Sequence, residues 1–153
     1  MPVVDLPDEA ATAALAARIS ALAAPGDVIA LKGDLGAGKT SFARGFIRAR
    51  GGEEEVPSPT FTLVQIYELG GMAIWHFDLY RLKSPDEAWE LGIEDAFSEG
   101  ISLIEWPERL GALLPRHRLE IELLFGDQPE ARRAMLDAGE GWQKRLAGIT
   151  ADA

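Results

Sequence analysis

Two kinds of hydrophobic spacing follow each other in the first third of the chain. Leucines and isoleucines recur at intervals of three and four residues up to a Pro-Gly pair, which predicts a helix over residues 8–24. The continuous apolar run 28–31 is short, as in a buried strand, and helical spacing returns over residues 39–50. The pattern therefore predicts a helix, a strand and a second helix, in this order.

Strand patterns dominate the rest of the chain. Two strand pairs are predicted, and the first is a hairpin that turns at Gly70-Gly71. The predicted strands are 61–68, 72–78, 101–104, 117–125 and 131–137, and short helices are predicted at 84–91 and 141–146. Alternating strands and helices that give way to strand pairs indicate an α/β fold. Its mixed sheet is expected to have a parallel centre and antiparallel flanking strands.

The length and composition fit one compact domain, predicted to span residues 1–153. Hydrophobic residues make up 47% and charged residues 26% of the chain, as in ordinary globular proteins. The absence of cysteine excludes a disulfide scaffold, a thiolate metal site and a cysteine nucleophile. No signal-peptide pattern opens the chain, and no apolar stretch is long enough to span a bilayer. We therefore expect a cytoplasmic protein without a membrane partner.

The chain is acidic. It has 15 Lys and Arg against 25 Asp and Glu, which gives a formal net charge of −10. Proteins that hold nucleic acid directly neutralise its phosphates with basic residues. We therefore expect this chain to meet nucleic acid only through a partner protein.

The glycine-rich segment after the first predicted strand has the pattern of a phosphate-binding P-loop. It reads Gly33-Asp34-Leu35-Gly36-Ala37-Gly38-Lys39-Thr40 and stands between a strand and a helix, the context that this motif requires. Its glycines let backbone N–H groups turn towards phosphate oxygens, and the helix start adds the positive end of its dipole. Lys39 is expected to reach the β- and γ-phosphates, and the Thr40 hydroxyl to bind Mg²⁺. The predicted fold is thus a three-layer, P-loop NTPase-like fold.

A magnesium-binding P-loop protein also needs an acid at the end of a neighbouring buried strand. Two predicted strands have this form, and they end in Asp78 and Glu105. With the loop in place, Glu105 is the favoured magnesium ligand, and Asp78 is a candidate for orienting the attacking water. For each acid the alternative is a solvated carboxylate at a strand end.

The preferred base follows from a missing motif. Guanine-specific proteins usually carry an Asn/Thr-Lys-x-Asp segment well after the loop, and this chain has none. The sequence therefore favours ATP over GTP.

Four segments together resemble the TsaE family, the ATPases of bacterial tRNA threonylcarbamoyladenosine biosynthesis. They are the loop 33–40, Ser58-Pro59-Thr60-Phe61-Thr62-Leu63-Val64, His76-Phe77-Asp78-Leu79-Tyr80-Arg81-Leu82 and Ile104-Glu105-Trp106-Pro107-Glu108. They lie in the family's order and at its approximate spacings, and the last three are specific to it. The resemblance implies a P-loop domain with a parallel core and antiparallel flanks.

The resemblance also implies roles for particular residues. Thr40 and Glu105 resemble the family's magnesium-binding pair, and Asp78 resembles its residue needed for hydrolysis. Together with Lys39, Asp78 and Glu105 form the expected catalytic set. Thr60 stands where the family has a loop on the γ-phosphate side. The residues expected at the nucleotide are Glu9, Thr12, Gly36, Ala37, Gly38, Lys39, Thr40, Ser41, Thr60, Trp106 and Glu108.

By the same resemblance, the chain is expected to be a magnesium-dependent ATPase that is slow in isolation. It would bind the TsaB–TsaD heterodimer and use ATP binding and hydrolysis to reset that complex between turnovers. The complex places threonylcarbamoyl on adenosine 37 of tRNA, which this chain would meet only indirectly.

Residues 126–133 depart from the family pattern. A Gly-Arg-Glu-x-Arg segment often joins the two later strands in the family, and Pro129 stands where its first arginine is expected. No nucleotide contact is therefore assigned to this loop, although Arg132 is retained.

His76 is interpreted as a structural histidine. Arg81 fits either an ion pair with Asp78 or a contact with a partner protein.

Two other functions fit a short P-loop protein. A small-metabolite kinase would need an acceptor pocket and usually an arginine-bearing lid over the phosphates. Arg109, Arg116 and Arg118 are the candidates for that role, but no lid-like insertion is visible. The other function is a nucleotide-binding module without meaningful turnover.

Overall fold

The computed structural model describes residues 2–52, 56–57, 59, 62–139 and 141–151. The strands are β1 Val3–Leu6, β2 Val28–Lys32, β3 Val64–Leu69, β4 Met72–Asp78, β5 Ile101–Glu105, β6 Arg118–Phe125 and β7 Arg132–Ala138. The α-helices are α1 Glu9–Leu22, α2 Lys39–Ala49, α3 Ile93–Glu99 and α4 Gln143–Ala151. Two 3₁₀ helices, Pro85–Leu91 and Pro107–Leu113, complete the elements of the described residues.

The strands of the described residues form one seven-stranded sheet in the order β1-β7-β6-β2-β5-β4-β3. Strands β6, β2, β5 and β4 run parallel to one another. The outer pairs β1–β7, β7–β6 and β3–β4 are antiparallel. The prediction of a mixed sheet with a parallel centre and antiparallel flanks is confirmed.

Helices cover both faces of this sheet. Successive residues of β2 belong to different hydrophobic clusters, because side chains of a strand alternate between its two faces. Ile29 packs in the cluster that contains Phe42 of α2, while Val28 packs in the cluster that contains Ile93 of α3. All four positions from 28 to 31 are fully buried, as expected for a central parallel strand covered on both sides.

Several elements were not predicted as they occur. The four-residue strand β1 exists through its antiparallel pairing with β7, which is distant in sequence. Helix α3 was not predicted; Gly92, with a φ of 85°, separates it from the 3₁₀ helix Pro85–Leu91, which lies where the sequence predicts a short helix. The second 3₁₀ helix follows Trp106. Strand β3 begins at Val64, since Leu63 has a φ of 68°; the predicted start, Phe61, lies outside the described residues.

The helices of the described residues are all too short or too polar to cross a membrane. Their role in this fold is to cover the sheet and to hold the loops at its edges. The carboxyl ends of β2, β4, β5 and β6 lie at one edge, because these strands are parallel. Ligands of open α/β sheets bind outside this kind of edge.

Candidate functional site

A glycine-rich loop joins β2 to α2 at the carboxyl edge of the sheet. Gly38 is the residue before α2 and has a φ of 107°, and Gly36 has a φ of 82°. Both conformations favour glycine because a Cβ would be strained there. Gly33, with a φ of 145°, also passes so close to β6 that an added Cβ would lie 2.7 Å from the Leu123 carbonyl oxygen. The loop is therefore shaped by three glycines.

The start of α2 faces this cleft without a side-chain cap. Helix starts carry backbone N–H groups that have no partner within the helix. Here the residue before the helix is Gly38, which makes no side-chain hydrogen bond to it, and the first turn holds no acid. These N–H groups and the helix dipole favour an anion at this point.

Lys39 lies inside the cleft rather than in solvent. Its side chain is 5% exposed, its Nζ donates a hydrogen bond to the Gly33 carbonyl oxygen, and its ammonium lies 3.8 Å from the centre of the Trp106 ring. Burial lowers the pKa of Lys39, and the nearby carboxylates, Glu105 first and then Asp78, oppose this shift. The cleft thus contains a desolvated cation beside two acids.

Thr40 and Glu105 bring two kinds of oxygen together. The Thr40 hydroxyl donates to the Glu105 carboxylate, with Oγ1 3.1 Å from Oε2 and 3.3 Å from Oε1. Magnesium binds oxygen, takes only one or two protein ligands in phosphate sites and fills its remaining positions with water and phosphate. The donor set therefore fits this ion. No cluster of three or more acidic, histidine or cysteine side chains suited to a metal occurs in the described residues.

Asp78 ends β4 directly beside Glu105. The two acids are paired in the register of the parallel strands β4 and β5. Asp78 is 4% exposed, and its Oδ1 accepts a hydrogen bond of 3.1 Å from the backbone N–H of Tyr80. The two strand ends that the sequence singled out therefore meet in one place.

His76 also contacts Glu105, and this contact was not predicted from the sequence. Its Nε2 lies 2.7 Å from Glu105 Oε2, and both side chains are buried. The contact depends on β4 lying beside β5 in the sheet, and local sequence patterns do not predict the order of strands. One signal was present in the sequence: His76 is two residues before Asp78 on the same strand, and residues two apart share a face.

Arg132 is a second residue whose contact was not predicted. It begins β7, and its guanidinium donates to the carbonyl oxygens of Gly36 and Ala37, each at 3.2 Å. The loop in which Pro129 replaces an expected arginine thus still supplies one arginine to the glycine-rich loop. Arg132 holds the outer, carbonyl side of that loop.

The cleft gathers most of the predicted site residues. Its walls are Leu35, Gly36, Gly38, Lys39, Thr40, Ser41, Asp78, Glu105 and Trp106. Trp106 has a φ of 59°, and its ring packs at 5.0 Å from the ring of Tyr80. All three predicted catalytic residues therefore lie around one cavity.

The other predicted contacts lie outside these walls. Glu9 is exposed and accepts a hydrogen bond of 3.2 Å from the Ser41 hydroxyl, so it lies one residue away from the cleft. Thr12 is buried in α1, and Ala37 is buried within the loop. Glu108 is exposed, yet its charge reaches Lys39. Thr60 lies outside the described residues.

The fold and the cleft define a class: an α/β protein with a glycine-rich strand–loop–helix unit at the carboxyl edge of a parallel-centred sheet. Comparison with known families matches residues 6–134 to the family described as threonylcarbamoyl adenosine biosynthesis protein TsaE. The chain belongs to the TsaE family.

Individual relatives agree with this assignment. A tRNA threonylcarbamoyladenosine biosynthesis protein TsaE from Rickettsia felis is 44% identical over 124 residues, which cover 80% of this chain and 72% of that protein. The protein of the same name from Bacillus subtilis is 43% identical over 111 residues, covering 72% and 69%. The crystal structure of Bacillus subtilis YdiB is similar with a TM-score of 0.81 and 31% identity, covering 99% of this chain and 94% of that one.

Proposed function

We propose that this chain is a magnesium-dependent ATPase of tRNA threonylcarbamoyladenosine biosynthesis, and that its glycine-rich loop is a P-loop in a P-loop NTPase-like fold. The observation that carries the proposal is the meeting of Lys39, Thr40 and Glu105 in one cleft. A cation, a hydroxyl and a carboxylate at the start of a helix after a glycine-rich loop are the parts that P-loop proteins use for a triphosphate and its metal. Family membership supplies the biological context.

Phosphate binding falls to the loop and to Lys39. The N–H groups of residues 36–40 would bind the β-phosphate, while Arg132 holds the carbonyls of Gly36 and Ala37. The Lys39 ammonium, which donates to the Gly33 carbonyl in this structure, would donate to the phosphate oxygens instead. Burial deprives the Lys39 ammonium of hydration, and an anion bound beside it compensates part of that loss.

Thr40 and Glu105 would hold the magnesium ion. When bound, the ion neutralises charge on the phosphate oxygens. The chain's own contribution is to present one hydroxyl beside one carboxylate, whose two oxygens already lie 3.1 and 3.3 Å from the hydroxyl oxygen. The Trp106 ring packs against the Lys39 ammonium and limits the contact of Lys39 with water.

Asp78 is the proposed residue for orienting the attacking water. It is an acid at the cleft wall, next to Glu105 in the sheet. The Tyr80 N–H fixes one of its oxygens. A carboxylate in this position accepts a hydrogen bond from water and aims it at the terminal phosphate.

The proposed partners are TsaB and TsaD, with tRNA met only through them in the cytoplasm. The net charge of −10 supports this division of labour, because an acidic protein is suited to dock on a basic partner rather than on nucleic acid. ATP binding and hydrolysis would reset the TsaB–TsaD complex between turnovers. Without a partner, P-loop switches can be slower by factors on the order of 10³ to 10⁵.

A small-metabolite kinase is not supported. Family membership points to tRNA modification. Arg116 and Arg118 lie at the start of β6, the opposite edge from the cleft, and line a separate pocket there. Arg109 donates to the Leu82 carbonyl oxygen. None of these three arginines lines the cleft in this structure.

The proposal is tested by capture of purified TsaB and TsaD on the immobilised chain. Three parallel samples contain ADP, ATP or a non-hydrolysable ATP analogue, each with Mg²⁺. We expect association that depends on the nucleotide and phosphate release that rises when both partners are present. Nucleotide-independent capture together with no measurable ATP affinity would contradict the proposal.

A further inference from the structure

The Glu105 carboxylate is buried and has two side-chain hydrogen-bond partners among the described residues, Thr40 and His76. Glu105 is 2% exposed and His76 is fully buried. An ionised carboxylate only accepts hydrogen bonds, so Nε2 of His76 has to carry the proton of the 2.7 Å contact when Glu105 is ionised. Charge-assisted bonds of this kind are short and strong.

Thr40 and His76 differ in how a bound metal would affect their hydrogen bonds to Glu105. Thr40 has a single hydroxyl proton, which is shared between the two oxygens of Glu105 at 3.1 and 3.3 Å. A hydroxyl that binds a metal through its oxygen keeps its one proton, but the metal then fixes the direction in which that proton points. His76 touches only Oε2, and its bond does not compete with a ligand on Oε1. The His76 contact is therefore the one whose geometry does not depend on a metal beside Thr40.

Packing alone does not explain an imidazole at this position. His76 Nδ1 is buried and has no hydrogen-bond partner within the described part of the chain. An unsatisfied buried polar atom is destabilising, and an aliphatic side chain of similar size would avoid this cost. The only polar contact of the His76 side chain in the described residues is the one to Glu105. The interpretation of His76 as a structural histidine did not include this contact.

We propose that His76 is a positioning residue for the magnesium site: its Nε2–H holds Oε2 of Glu105 and directs Oε1 to the metal beside Thr40. The inference rests on the proposed function, because that function supplies the ion. Residues behind metal ligands orient the ligand, and their loss typically costs 10- to 100-fold in metal affinity. His76 itself touches neither the ion nor the nucleotide in this arrangement.

Two amide substitutions separate positioning from packing. In His76→Gln, the amide nitrogen lies as many bonds from the backbone as Nε2 and can reach Glu105. In His76→Asn, the amide is one bond shorter and cannot. Calorimetry then measures the affinity for a non-hydrolysable ATP analogue with Mg²⁺ and with EDTA, and the ratio of the two affinities is the magnesium gain.

We expect His76→Gln to keep the magnesium gain within about threefold, and His76→Asn to lose roughly tenfold or more of it. Affinity in EDTA should stay within about twofold for both. In a Glu105→Gln background, His76→Asn should cause no further loss of the gain. Thermal unfolding without nucleotide checks that the variants fold.

The outcomes distinguish the inference from the function on which it rests. If the wild-type protein binds no nucleotide, or gains nothing from Mg²⁺, the proposed site itself fails. Two other outcomes, each with a magnesium gain in the wild-type protein, would overturn only the role of His76. In the first, His76→Asn keeps the magnesium gain; in the second, it loses affinity equally with and without Mg²⁺. Should His76→Asn not fold, His76→Leu, which fills the space without a polar atom, is judged by the same two affinities.

Discussion

The ammonium of Lys39 lies 3.8 Å from the centre of the Trp106 ring, beside the Gly33 carbonyl oxygen to which it donates. A cation over an indole face is attracted by the ring's quadrupole, and more strongly when water is excluded. Lys39 is therefore held between a π face and a carbonyl before any phosphate arrives. A triphosphate has to replace these contacts, which makes Lys39 the first position to test.

Lys39→Ala should weaken binding of a non-hydrolysable ATP analogue about 100-fold. Bonds from a charged donor contribute roughly 1.5–3 kcal/mol each, and each 1.4 kcal/mol is a factor of ten. The measurement is calorimetry with Mg²⁺. Lys83→Ala is the matched control, because Lys83 is exposed and does not line the cleft. An equal loss in both variants would show that the effect is one of overall charge.

Asp78→Asn should slow hydrolysis by roughly 10² to 10⁴ while leaving nucleotide affinity within about threefold. Asparagine keeps an oxygen for the Tyr80 N–H, so the local turn is preserved. The assay is phosphate release with TsaB and TsaD present, beside calorimetry on the same preparation. Asp86→Asn, an exposed acid on the 3₁₀ helix, serves as the control. A parallel loss of affinity and rate would instead assign Asp78 to binding.

The parts of the fold that the sequence predicted are those that local pattern determines. The run 28–31 is apolar throughout because both of its faces are covered, and the glycines after it mark a loop that other residues could not form. Asp78 and Glu105 were expected to be near the loop because each follows a buried strand. Their adjacency in the sheet agrees with that expectation.

The parts that were missed depend on contacts between distant residues. Val3 pairs with Met135 across almost the whole chain, and four residues carry too little pattern to reveal a strand alone. The His76 contact requires the order of β4 and β5, which strand patterns do not specify. Arg132 reaches the loop because β7 lies beside β6, which itself passes Gly33. Tertiary neighbours, rather than propensity, determine these features.

Arg132→Met should lower affinity for the ATP analogue roughly tenfold, because the carbonyls of Gly36 and Ala37 lose the donor that holds them. Methionine keeps much of the side-chain volume. Calorimetry in EDTA measures the effect on phosphate binding alone. Arg133→Met is the neighbouring control: Arg133 pairs with the exposed Asp5, and surface pairs of this kind contribute little. Equal affinities for the two variants would contradict the role given to Arg132.

Gly33→Ala should destabilise the whole protein rather than the nucleotide site alone. The new methyl group would lie 2.7 Å from the Leu123 carbonyl oxygen, which is backbone and cannot turn away, and the φ of 145° adds strain. Forced shifts cost about 1–3 kcal/mol and the unfavourable backbone about 1 more, which lowers Tm by roughly 10 °C in a chain of this size. Thermal unfolding without nucleotide gives the measurement. Gly148→Ala, in α4 with open space around it, should be neutral or slightly stabilising. A normal Tm for Gly33→Ala would mean that β6 can move away from the loop, and that the close approach is not required for the fold.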